Sequence, residues 1–248
     1  MHGSIDHLLF FVTGCGAGII NALAGGGPIL TLGVLTLSGL DPRIANLTST
    51  VALSPGQLLA GTMVRHRFSA TRLGSRFALV TLAIAGGAAG AGLLLATSSR
   101  SFDALVPWLV LAATALYAIS GVATVDATRP APVAGSRFAL LFAPLTMYGG
   151  YFGGGNSFLV LALLGVSGHG AKLAGEIKNA LVGAINLGAV AVFIVSGSVD
   201  WPVALSMGLG GLVGSYAGAR LFGHLPAAIV RTIVVFGGLA LATWMFAR

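Results

Sequence analysis

Hydrophobic and polar positions along this chain fall into long blocks, without the short periods of a soluble protein. Most apolar blocks hold about 17–25 residues, the length at which a helix crosses a lipid bilayer. Charged residues concentrate in the short connections between them. The pattern therefore predicts an all-α polytopic membrane protein, with apolar stretches near residues 7–38, 44–64, 73–97, 104–125, 137–167, 179–196, 201–222 and 227–247.

Two of these stretches, 7–38 and 137–167, are too long for one straight span, and glycines interrupt each of them. The interruptions are GGGP at 25–28 and GGGN at 153–156. Because glycine and proline break helices, we expect two broken or re-entrant helical hairpins. The residues before the first stretch include Asp6 but no Lys or Arg, unlike a signal peptide, so we expect this segment to remain in the mature protein.

The two interruptions lie 128 residues apart, and the same offset relates other glycines of the chain. It maps Gly86 and Gly90 onto Gly214 and Gly218, and this small-xxx-small spacing indicates close helix contacts, not a ligand site. Residues 125–135 (VDATRPAPVAG) have the composition of a linker. We therefore predict a first membrane repeat, a linker and a second membrane repeat, each repeat being a broken hairpin followed by three transmembrane helices. Their bounds are 1–124, 125–136 and 137–248.

Composition strengthens the membrane prediction: 56% of the residues are hydrophobic, 8% are charged, and the mean hydropathy is +0.96. The net charge of +7 comes from Lys and Arg at segment ends, so it indicates topology and not a nucleic-acid partner. The single cysteine and the five scattered histidines show no metal-ligand or catalytic spacing. We therefore expect no enzyme activity, no metal and no cofactor.

Charge placement favours an inverted arrangement of the two halves. If all eight stretches cross, the basic residues divide seven against six, and the positive-inside rule gives no orientation. If the two broken stretches are re-entrant, three basic residues lie outside and ten inside, with both termini outside, as in a multi-pass protein of the cell inner membrane. The outer three are Arg43, Arg100 and Arg248; the inner ten are Arg65, Arg67, Arg72, Arg76, Arg129, Arg137, Lys172, Lys178, Arg220 and Arg231.

Broken helices of inverted repeats place irregular backbone between the halves, near the bilayer midplane. Pro28 suits the first turn of a half-helix, and Asn156 holds the matching place, where its side chain can cap the helix or contact a ligand. Backbone N–H groups and the helix dipole at such a terminus attract anions. The alternative is that these glycines only allow helices to approach closely.

Polar residues follow each hairpin. Lys178 and Asn186 share one helix face and could pair with an anion. Alternatively, Lys178 extends to the cytoplasmic interface beside Glu176, and Asn21 holds two helices together. The predicted substrate-binding set is Asn21, Gly25, Gly26, Gly27, Pro28, Asn46, Thr48, Ser49, Gly153, Gly154, Gly155, Asn156, Ser157, Lys178, Asn179 and Asn186.

Two long runs carry a family resemblance: GAGIINALAGGGPILTLGVL (16–35) and YGGYFGGGNSFLVLALLGVSGHGAKLAGEIKNALVGAINLGA (148–189), the second followed by GSVDW (197–201). Together they resemble the TauE/SafE sulfite-exporter family, also called the toluene-sulfonate uptake permeases. The resemblance implies an inner-membrane carrier, often an exporter, for sulfite, sulfonates or related anions. The chain has the family's threonine-serine step at Thr48-Ser49, whereas Ile177-Lys178 follows the second hairpin.

We therefore expect a secondary transporter that exports a small anion such as sulfite or an organosulfonate. Two alternatives stay open: a passive anion channel, and an accessory membrane subunit without transport of its own. Expected partners are the small anion and the lipid bilayer. A coupling proton or sodium ion, and a homodimer, are left open.

Overall fold

A computed structural model of the chain describes residues 4–23, 25–62, 73, 75–120, 133, 135–169, 171–221 and 227–247. Every regular element within these residues is an α-helix, as the sequence predicts. In chain order the helices are α1 (Ser4–Leu23), α2 (Gly27–Leu37), α3 (Pro42–Thr62), α4 (Arg76–Ala96), α5 (Ser99–Ser120), α6 (Gly135–Tyr151), α7 (Asn156–Val166), α8 (Ala171–Ser196), α9 (Trp201–Leu221) and α10 (Ala227–Ala247).

Both long apolar stretches break where the glycines predict. Between α1 and α2, Gly25 has a φ of +93°, and between α6 and α7, Gly153 and Gly155 have φ of +73° and +77°. Residues with a Cβ rarely adopt this left-handed conformation, which ends the first arm of each hairpin. The second arms, α2 and α7, have 11 residues each, about 16 Å of helix, or half of a bilayer core.

Among the described residues, three helices contain stretches long and apolar enough to cross a membrane: Ile5–Ala22, Arg76–Ala96 and Leu173–Ser196. Large apolar side chains such as Phe77, Val195 and Phe236 are exposed on the helix surfaces, as lipid-facing side chains are. The chain is therefore a multi-pass membrane protein.

Helix α8 extends beyond its apolar stretch. The stretch begins near residue 179, and α8 begins at Ala171. Its first two turns carry Glu176 and Lys178, whose charges remove them from a hydropathy window although the backbone there is helical.

Helices of the two halves pack against each other in matching pairs. The most extensive contact joins α1 to α9, and its counterpart under exchange of the halves joins α6 to α4. Likewise α3 packs on α9 as α8 packs on α4, and α2 touches α10 as α7 touches α5. Each hairpin thus packs on a helix of the other half.

Glycines make these contacts close, as the small-xxx-small spacing predicts. Gly214 lies against the backbone of Cys15 in α1, and Gly90 lies against the backbone of Met147 in α6. Gly86 and Gly218 lie against Thr146 and Ile19 respectively. Most of the predicted linker lies outside the described residues, and the inverted orientation of the halves remains a prediction from the charges.

Candidate functional site

The first helix break lies against the second half of the protein. A Cβ built on Gly25 would lie 2.8 Å from Ser157 Oγ, in the first turn of α7, and 3.7 Å from Lys178 Nζ, on α8. Any larger residue would collide with Ser157. The positive φ of Gly25 and this close approach together make glycine necessary here. Folding thus brings together three predicted site residues that are distant in sequence.

Lys178 is buried inside the protein. Only 5% of the residue is exposed, and no described residue forms a hydrogen bond or an ion pair with its ammonium group. This burial disagrees with the alternative that Lys178 extends to the cytoplasmic interface. An ammonium group inside a membrane protein is costly without an anionic or polar partner. A positive charge beside the irregular backbone is therefore suited to an anion.

The half-helices begin without side-chain caps. Gly26 is the N-cap of α2 and Gly155 is the N-cap of α7, and neither helix start is capped by a side-chain hydrogen bond. Pro28 lies in the first turn of α2, as predicted. Backbone N–H groups at such a terminus, together with the helix dipole, favour anions.

Asn156 does not cap α7. Its side chain packs back onto α6, where a Cβ on Gly149 would lie 2.7 Å from Asn156 Cγ. Asn156 is 1% exposed, and both its Oδ1 and its Nδ2 have no hydrogen-bond partner among the described residues. Asn21 is also buried, close to Gly27, with an unpartnered Oδ1. Each unpartnered buried polar group costs about 1–3 kcal/mol, so these amides are candidates for ligand contact.

The polar run of α3 is tied to other segments of the protein. Asn46 Nδ2 donates to the carbonyl oxygen of Tyr151 at 3.1 Å, at the end of α6. Thr48 Oγ1 accepts from the backbone N–H of Asp200 at 3.2 Å, within GSVDW, and Ser49 Oγ lies 2.5 Å from Thr31 Oγ1. These three predicted residues therefore join the hairpins and the GSVDW segment to α3.

Asn186 faces α3, where its Nδ2 donates to Oε1 of Gln57. Sequence analysis missed Gln57, although it lies one position from the repeat equivalent of Asn186, and that offset would have indicated the pair. It also missed Tyr148, whose hydroxyl donates to the carbonyl oxygen of Gly154 at 2.8 Å. The structure shows no contact that brings Asn179 to this group of described residues.

Comparison with known proteins shows the family of this chain. The sequence profile of one protein family, described as Sulfite exporter TauE/SafE, matches residues 10–245. The chain belongs to this family. TauE/SafE membership and the apolar helices together indicate a membrane transporter.

Curated relatives carry names that agree with the TauE/SafE assignment. A protein of Sinorhizobium sp. named "Probable membrane transporter protein ORF9" is 30% identical over 97% of this chain and 93% of its own length. A "Probable membrane transporter protein" of Haemophilus influenzae is 28% identical over 92% and 89%. YfcA of Escherichia coli K12, also named a probable membrane transporter protein, is 27% identical over 92% and 84%. No solved structure gives a significant match.

Proposed function

We propose that this protein is a secondary transporter that exports a small sulfur oxyanion, sulfite or an organosulfonate, across the bacterial inner membrane. The observation that carries the proposal is the buried Lys178 beside the broken backbone at Gly25. A fixed positive charge enclosed by apolar helices attracts an anion strongly, because the surroundings screen it much less than water does.

The groups around Lys178 fit an oxyanion. The Ser157 hydroxyl lies 2.8 Å from the Cβ position of Gly25. Ser157 is in the first turn of α7, where the helix dipole presents its positive end. An oxyanion offers several acceptor oxygens, which an ammonium group, a hydroxyl and helix N–H groups can satisfy at once. The sulfur chemistry and the export direction are supported by the family description alone.

Counterflow in proteoliposomes tests the proposal. Vesicles loaded with unlabelled sulfite or methanesulfonate are diluted into the labelled anion, and uptake is compared between the wild type, Lys178→Ala and Arg100→Ala. Arg100 is an exposed residue of α5, so its replacement removes the same charge away from the site. We expect saturable exchange in the wild type and in Arg100→Ala, and a loss of about tenfold or more in Lys178→Ala.

The pattern of uptake also separates the alternatives. A passive channel would equilibrate the label without stimulation by anion on the opposite side. An accessory subunit would give no flux above empty vesicles. Either result with correctly folded protein, or unchanged exchange in Lys178→Ala, would refute the proposal.

A further inference from the structure

The two hairpins place their asparagines at non-equivalent positions. The repeat offset maps Asn21 of α1 onto Gly149 of α6, and it maps Pro28 of α2 onto Asn156 of α7. Each hairpin therefore has an asparagine at one of these two positions. The other position is Pro28 in the first hairpin and Gly149 in the second. The long arm supplies the asparagine in the first half, and the short arm supplies it in the second.

The structure brings both amides to the same kind of place. Asn156 fills the space that Gly149 leaves between α6 and α7. Asn21 lies between α1 and α2, where a Cβ on Gly27 would be 3.0 Å from Asn21 Cβ. Gly27 and Asn156 are the first residues of their half-helices. Each half thus has one amide at the start of its half-helix. The long arm supplies that amide in the first half, and the short arm supplies it in the second.

Neither amide is fully paired within the described residues. Asn156 has two unpartnered polar atoms and Asn21 has one, among the described residues. Both side chains are more than nine-tenths buried, and no side chain caps the half-helix beside them. Buried amides normally form hydrogen bonds. Two amides with unpartnered atoms, each at the start of a half-helix, therefore indicate a ligand.

We propose that Asn21 and Asn156 are a reciprocal pair of substrate-contacting residues, one from each half, each presenting its side-chain amide to the anion at its own half-helix. The inference rests on the proposed function and specifies two more groups of that site. Both amides are buried between the arms of their hairpins in this structure.

Relocating one amide tests the pair. Asn156→Ala alone should reduce saturable sulfite exchange about tenfold or more, because it removes a hydrogen bond to an anion. The double variant Gly149→Asn with Asn156→Ala moves the amide to the position that Asn21 occupies in the first half. Removing the Asn156 side chain removes the two atoms nearest to the new Cβ, and the third, Ile185 Cγ2, would lie 2.8 Å from it. We expect this variant to restore exchange to within about threefold of the wild type.

The matched control is Gly149→Leu with Asn156→Ala, which fills the same space without an amide. It should remain as inactive as Asn156→Ala. Equal recovery with leucine, or no recovery with asparagine in a folded protein, would overturn the inference. If the wild type itself shows no exchange, the proposed function fails first, and the two failures are thereby distinguished.

Should the relocated variant not fold, Asn21→Leu carries the test. This change keeps the branched, four-heavy-atom shape of the side chain and removes the amide from the first hairpin. We expect the half-saturation concentration for sulfite to rise about tenfold, with protein yield and melting temperature near those of the wild type. An unchanged half-saturation concentration would overturn the pair.

Discussion

At the scale of single residues, Gly25 and Lys178 define the candidate site. The glycine lets the broken backbone approach Ser157, and the lysine supplies the one buried basic side chain among the described residues. Burial of this lysine departs from the usual position of Lys in membrane proteins, where it extends to the interface. The candidate site therefore combines a backbone conformation that favours glycine with a buried basic side chain that has no partner in the described part of the chain.

Replacing Gly25 by alanine should abolish anion exchange. The substitution strains a backbone with φ of +93° and places a methyl group against Ser157, near Lys178 Nζ. Gly39→Ala is the matched control, since Gly39 has a φ of +90° but nothing within 4 Å of its Cβ position. Both variants should lose about 1–2 kcal/mol of stability from strain. Only Gly25→Ala should also lose counterflow, and equal exchange in both variants would exclude Gly25 from the site.

The Asn186–Gln57 hydrogen bond should couple α3 and α8 energetically. Single changes to leucine leave one buried amide without its partner, whereas the double change removes both. A double-mutant cycle on unfolding in detergent should give a coupling of about 0.5–2 kcal/mol, the range for polar contacts between membrane helices. Strictly additive effects would show that the two side chains act independently.

At the scale of helices, glycines allow particular helices to pack backbone against backbone. Gly214 of α9 touches the backbone of Cys15, so a side chain there would force α1 and α9 apart. Gly92 of α4 is exposed and has nothing within 4 Å of its Cβ position. Both glycines lie inside long helices, but only Gly214 has another helix against its Cβ position.

We therefore expect Gly214→Leu to destabilise the protein and Gly92→Leu to leave it nearly unchanged. Overpacking a close contact costs about 1–3 kcal/mol or more, because backbone must move. The thermal midpoint of each variant in detergent, followed by size-exclusion fluorescence, measures the difference. Similar midpoints for the two variants would mean that the α1–α9 contact contributes little to stability.

Helix breaks could be predicted from sequence because their cause is local: three glycines in a row, followed by proline or asparagine, interrupt a helix where single glycines and prolines do not. The partner of each helix could not. That α1 packs on α9, or that Gly25 meets Ser157, depends on how the two halves interlock, and a single sequence carries only a faint trace of this in the repeat offset. Helix α8 extends beyond its apolar stretch because the charged residues Glu176 and Lys178 lower the mean hydropathy of its first two turns.

At the scale of the whole molecule, the charge distribution predicts that the halves are inverted, with three basic residues outside and ten inside. Single cysteines introduced at residues 2 and 130, in a Cys15→Ser background, test this. A membrane-impermeant maleimide should label residue 2 in intact cells, and residue 130 only after permeabilisation. Labelling of both from the same side would contradict the inverted arrangement.

The packing of α1 on α9 has a consequence for how the protein is made. The principal partner of α1 is α9, which is synthesised long after it. The glycine face of α1 therefore has no partner in the membrane until α9 has been translated. Contacts so distant in sequence form late and leave intermediates exposed to misassembly. The first half therefore needs the second half to complete its folding. The two halves expressed as separate polypeptides should accumulate only when they are co-expressed.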